Sequence, residues 1–157
     1  MAPILARRLG CSHADLDREV ERRSGRAVSA IFEQEGEERF RDLESLALAQ
    51  ALGAAEPVVL ACGGGVLGRA ANRELLSARA RVIWLTVEPG EAAKRLRAPG
   101  STGRPLLHGG APEEGLRALL QRRGAAYAAA ADATVETDGL VPEEVAERIL
   151  AGLPAGG

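Results

Sequence analysis

Three groups of residues have the types and spacing to do chemistry. Asp15-x-Asp17 sets two carboxylates two positions apart, a pair that can hold a hydrated Mg²⁺ and orient a substrate hydroxyl. Its plainer reading is Asp17 as a helix cap beside a solvated Asp15. Arg41, Arg97, Arg104 and Arg123 form the second group, because a guanidinium forks onto a carboxylate or phosphate through two parallel hydrogen bonds. Gly63-x-Gly65-x-x-Gly68 is the third. Set after a strand and before a helix, it has the context of a dinucleotide fingerprint, and Glu88 stands 20 residues beyond Gly68. A tight strand-to-helix turn uses the same glycines, so both readings stand at this point.

Apolar periodicity supplies the elements that must position these groups. Residues 3–9 read as a helix with Ile4, Leu5 and Leu9 on one side and Gly10 as its C-cap. Residues 11–17 are polar and irregular, with 11–14 a weakly apolar candidate for an early strand. Leu16 and Val20 begin a short amphipathic helix closed by Gly25, and Val28, Ile31 and Phe32 cluster at helical spacing. Phe40, Leu43, Ala47 and Ala51 mark a helix from about 37 to 52. Strands are predicted at 57–62, 81–86 and 133–137, and helices around 72–78, 89–97, 113–131 and 142–153. The Gly/Pro-rich segment 98–112 reads as a mobile loop. Strands separated by helices predict a parallel sheet in an α/β fold.

Composition narrows the function classes. A chain of 157 residues fits one domain, and neither repeat nor linker divides it. The net charge of −2 lacks the basic excess that non-specific nucleic-acid binding requires. No run approaches the ~20 apolar residues of a membrane helix, and no signal-type segment follows Met1. The expectation is a soluble, cytoplasmic monomer without nucleic-acid or membrane partners. Cys11 and Cys62 are too few for a disulfide framework, and they, His13 and His108 read as incidental. Of the 20 basic residues only Lys94 is lysine, which leaves 19 arginines; most of these are surface residues, and only their company selects the four above.

Taken in order, these pieces resemble the shikimate kinase family. The stretches that carry the likeness are DLDREVERRSGRAVSAIFEQEGEERFRDLE (15–44), VVLACGGGV (58–66), RVIWL (81–85), RPLL (104–107) and RRGAAY (122–127). The resemblance implies a P-loop-kinase-like α/β fold with a lid at about 98–112 and a substrate-binding helical region at about 15–52. It implies transfer of the ATP γ-phosphate to the 3-hydroxyl of shikimate, a step towards chorismate and the aromatic amino acids. By motif position, Asp17 binds the shikimate hydroxyls and serves as base or orienter, and Asp15 holds Mg²⁺ through water. Arg41 and Arg123 grip the substrate carboxylate, and the backbone of Gly64 and Gly65 packs on the ring. Arg104, in the lid, meets the transferring phosphate, and Arg97 lies near the adenine. Phosphoryl transfer needs mostly positioning and charge stabilisation, which suits these residue types.

One departure is severe. The family's opening strand and G-x-x-x-x-G-K-[ST] loop have no counterpart in these residues, and Lys94 sits in a late helix. The expected sheet therefore lacks its first, central strand, and the neighbouring edges are left unpaired. The simpler expectation is that Met1 is not the true start and that about 15–20 residues precede it. In that case the chain as given turns over negligibly. The alternatives are a non-catalytic shikimate-binding or regulatory domain and an NAD(P)-binding protein built on the glycine run.

Overall fold

The computed structural model describes residues 1–97 and 112–153. The chain opens with α1 (Ala2–Leu9). Gly10 ends this helix in the left-handed region, and the bonds Gly10 N–H to Arg7 O and Cys11 N–H to Ala6 O close a Schellman turn. The buried side of α1 is Leu5 and Ala6, whereas Leu9, expected beside Leu5, is exposed. Leu9 is the last helical residue, one turn beyond Leu5, at the exposed end of the helix.

Residues Ser12–Asp15 form β1 despite their weak apolar character. Their backbone pairs in parallel with β2 (Val58–Ala61), from Ser12 opposite Val58 to Asp15 opposite Ala61. Strand pairing overrides propensity here. Between them lie α2 (Leu16–Ser24), ended by Gly25, and α3 (Val28–Gly53). Helix α3 is kinked at Gly36, whose φ of 83° is open to glycine. That kink separates the two apolar clusters read from the sequence. After β2 come a single 3₁₀ turn (Val66–Gly68) and α4 (Ala70–Arg79). The second half repeats the pattern: β3 (Ile83–Thr86), α5 (Pro89–Arg97), α6 (Pro112–Ala130), β4 (Ala133–Glu136) and α7 (Pro142–Gly152). The sequence-predicted lid, about 98–112, lies outside the described residues except for Pro112, which opens α6.

Among the described residues the strands form two two-stranded parallel sheets, β1–β2 and β3–β4. Strand β2 pairs with β1 and strand β3 with β4, and no described strand joins the two pairs. The sheets meet through one buried cluster of Leu5, Val135, Val145 and Ile149, against which Val59 of β2 and Ile83 of β3 both pack. A larger core joins α2, α3 and α4 through Leu16, Ile31, Phe40, Leu48 and Leu76. Each such buried apolar side chain contributes up to about 1.5–3 kcal/mol. Together these cores hold the carboxyl ends of the strands beside α3 and α6, where α/β folds place their ligand sites.

Candidate active site

The site is assembled from four places: the β1–α2 junction, the turn after β2, the second half of α3, and the late part of α6. Asp15 ends β1, and its Oδ1 accepts from the backbone N–H of Asp17 at 3.0 Å and of Arg18 at 3.2 Å. The helix cap is therefore Asp15 and not Asp17. An extended residue that leads into a helix turns its own carboxylate onto the first free amides. Asp17, half-buried in the first turn, instead faces the glycine run, and a Cβ on Gly63 would stand 3.6 Å from its Oδ1.

Gly63–Gly65 are held from behind. Asn72 Nδ2 donates to Val66 O at 2.9 Å, and Arg73 Nη1 donates to Leu67 O at 2.7 Å. Arg69 ties the same turn to α3 through Asp42 at 2.7 Å and Glu38 at 3.1 Å. The glycines permit close approach of side chains. A Cβ on Gly65 would overlap the Arg41 guanidinium, and a Cβ on Gly64 would overlap the Tyr127 hydroxyl. These approaches come from the protein itself, so the glycine run is already occupied in a way that a pyrophosphate-cradling turn is not.

Arg41 is nearly buried and doubly paired. Its Nη1 donates to Glu44 Oε2 at 2.8 Å, while Nε and Nη2 donate to Glu37 Oε1 at 3.3 and 2.9 Å. Burial alone would lower its pKa, but the bonds to Glu44 and Glu37 outweigh it and hold the guanidinium charged. Glu44 is 1% exposed, and its Oε1 has no hydrogen-bond partner among the described residues. Burial pushes the Glu44 carboxyl above its ordinary range even though Arg41 pulls it down; Asp17 raises it further and Arg123 lowers it. The pair thus favours the charged arginine more than the charged glutamate, because desolvation costs the smaller, fully enclosed group more. Cys62, beside these carboxylates, is raised to about 12, first by burial and then by Glu44, Asp15 and Asp17, although part of the residue reaches solvent.

Arg123 approaches from α6, with Nη1 3.8 Å from the position of a Gly64 Cβ. No carboxylate pairs with it among the described residues. Arg41, Arg123, Gly64, Gly65, Glu37 and Tyr127 line one cleft of about 260 Å³. That size is near the lower end for small-ligand sites. The structure therefore brings together Arg41, Gly64, Gly65 and Arg123, with Asp17 and Glu44 behind Gly63. Arg97, exposed at the end of α5, stands outside this cleft, and Arg104 lies outside the described residues.

Sequence reasoning missed Glu44, Glu37 and Tyr127. Glu44 had a signal: it falls among Phe40, Ala47 and Leu48 on the buried stripe of α3, and a buried carboxylate calls for a partner. Tyr127 lies four residues after Arg123, on the same helix face.

The arrangement sets two guanidiniums, groups able to fork onto a carboxylate or phosphate, near two recessed carboxylates, Asp17 and Glu44. Comparison with known proteins identifies what the chain is similar to. A family model described as shikimate kinase matches residues 1–154. The shikimate kinase of Thermobifida fusca is 46% identical over 153 residues, which is 98% of this chain and 86% of that protein. The shikimate kinase of Symbiobacterium thermophilum is 43% identical, over 94% of this chain and 84% of that one. Among solved structures, a shikimate kinase from Acinetobacter baumannii in complex with shikimate superposes with a TM-score of 0.88 at 36% identity. That match covers 95% of this chain and 82% of the other. A shikimate kinase from Aquifex aeolicus superposes with a TM-score of 0.77 at 26% identity, over 96% of this chain and 84% of the other.

Proposed function

The chain belongs to the shikimate kinase family, and from that membership we propose that its cleft is the acceptor half of ATP-dependent phosphorylation of shikimate. The carrying observation is the convergence of Arg41 and Arg123 on the Gly64–Gly65 peptide, with Asp17 beside Gly63. Shikimate is a cyclic acid with three hydroxyls. Two guanidiniums grip its carboxylate, the glycine backbone lies against its ring, and Asp17 accepts from its hydroxyls. The unpartnered Glu44 Oε1 is a further acceptor for a hydroxyl or its bridging water.

In the reaction the 3-hydroxyl oxygen forms a bond to the γ-phosphorus, the bond from that phosphorus to the β-bridging oxygen breaks, and ADP leaves. Asp17 orients the hydroxyl and takes its proton. Arg104 is assigned to the transferring phosphate and Arg97 to the adenine side.

Asp15 suits a hydrated Mg²⁺. The ion keeps most of its waters and takes only one or two carboxylates. Asp15 is exposed and offers one oxygen beyond its cap bonds. No group of three ligating side chains forms a protein cage among the described residues. Asp15 would hold the ion through water, and the ion would neutralise charge on the phosphates.

The second reading is a shikimate-binding domain without turnover. A monomer in the cytoplasm is the corresponding expectation, and both cysteines are free, as suits a reducing compartment. No described helix is long and apolar enough to cross a membrane.

Calorimetric titration with shikimate tests the acceptor site. Binding is expected, and Arg41→Ala and Arg123→Ala should each weaken it at least about tenfold, as loss of a charge-assisted hydrogen bond does. Equal affinity in all three proteins contradicts the assignment. A coupled assay for ADP then separates a kinase from a binding domain.

A further inference from the structure

Arg41 and Arg123 come from different helices and reach neighbouring glycines: the Arg41 guanidinium lies where a Cβ on Gly65 would stand, and Arg123 Nη1 lies 3.8 Å from the position of a Cβ on Gly64. The spacing of the two cations therefore depends on where the Gly64–Gly65 peptide lies. Two glycines give that peptide the least intrinsic rigidity of any pair, so something outside it must fix its plane.

Tyr127 makes that contact. Its hydroxyl donates to Gly64 O at 2.7 Å. Its ring is set by Trp84 of β3, with centroids 5.5 Å apart and planes tilted by 53°. A Cβ on Gly64 would overlap the hydroxyl, while the ring carbon Cζ would stand 3.5 Å away. Because a trans peptide points its C=O and N–H in opposite directions, holding Gly64 O also sets the direction of Gly65 N–H. Arg123 lies one helical turn before Tyr127 on α6, so the residue that fixes the peptide also fixes its distance from the second cation.

We infer that Tyr127 is a positioning residue for substrate: its hydroxyl locks the Gly64–Gly65 peptide to α6 and so sets the spacing of the Arg41–Arg123 clamp. The structural alternative is a core tyrosine whose hydroxyl merely finds an acceptor, since Tyr127 also packs against the main core. The two differ in what the hydroxyl controls. The inference rests on the shikimate assignment above.

Tyr127→Phe keeps the ring against Trp84 and removes only the hydroxyl. By calorimetry the dissociation constant for shikimate should rise about threefold to tenfold, with the thermal midpoint changed little. Gly64→Ala should weaken binding by itself. In the double variant Gly64→Ala/Tyr127→Phe the two losses should be less than multiplicative, because the same hydroxyl contact carries both. Affinity within twofold of the parent for Tyr127→Phe, or losses that simply multiply, overturns the inference. If Tyr127→Phe does not fold, 4-aminophenylalanine and 4-methylphenylalanine at position 127 replace it. Parent-like binding with the first and loss with the second supports the lock, and equal binding overturns it. Absence of shikimate binding by the parent chain is a different result: it removes the acceptor assignment, and with it the clamp whose spacing is at issue.

Discussion

Arg41 Nη1 meets Glu44 Oε2 at 2.8 Å, three residues along the same helix, and the glutamate is 1% exposed. A charged pair this enclosed is weak as a source of stability, because desolvation offsets its attraction. Its use is to aim the guanidinium at Gly65.

Glu44→Gln is therefore expected to separate stability from binding. Shikimate affinity should fall about tenfold, since the neutral amide anchors Arg41 less well. The pH dependence has a definite sign. Burial raises the folded pKa of Glu44 above its ordinary value, so its stabilising contribution is complete below that ordinary value and is lost as pH rises through the folded one. The thermal midpoint of the parent should therefore fall relative to Glu44→Gln as pH rises from about 4.5. Parallel curves from acid to neutral pH contradict this.

Glu37 holds the opposite edge of Arg41 through Nε and Nη2, yet it is 52% exposed. An incoming carboxylate needs that edge, so Glu37 competes with it. Because an exposed pair contributes only ~0–1 kcal/mol, Glu37→Gln should tighten shikimate binding by about twofold to fivefold at low salt. The gain should shrink at high salt. Titration at two ionic strengths measures both effects.

Gly65→Ala places a methyl where the Arg41 guanidinium lies. Shikimate affinity should drop at least about tenfold, the scale of a lost charge-assisted contact. Titration with NAD(P) distinguishes the rival reading of the glycine run: no binding is expected in parent or variant. NAD(P) binding that Gly65→Ala weakens would restore that rival.

Much of this was legible in the sequence, and the exceptions have physical causes. The helices ended by Gly10 and Gly25 were plain because left-handed caps leave a residue-type signature. Strand β1 was faint because Ser12, His13 and Asp15 are exposed and only pairing to β2 makes the strand. Asp15 and Asp17 were both visible, but which one caps depends on backbone direction at the strand end, which spacing does not encode. Glu44 was hidden because a buried charge reads as surface until its partner is located. Tyr127 stood inside the stretch RRGAAY, but its contact with the Gly64 carbonyl appears only once α6 packs beside that turn.

Asp15 tests the division between fold and chemistry. Asp15→Asn retains an oxygen for the amides of Asp17 and Arg18 and should leave the thermal midpoint nearly unchanged. Asp15→Ala should cost about 1 kcal/mol of stability, the usual loss of an N-cap. Denaturant melts measure this. If both variants lose stability equally, the negative charge of Asp15 itself matters to the fold.

The most direct measurement is a crystal structure of this chain with shikimate. The substrate carboxylate is expected between Arg41 and Arg123, the ring against Gly64 and Gly65, and a hydroxyl on Asp17. A carboxylate bound away from positions 41 and 123 would contradict it.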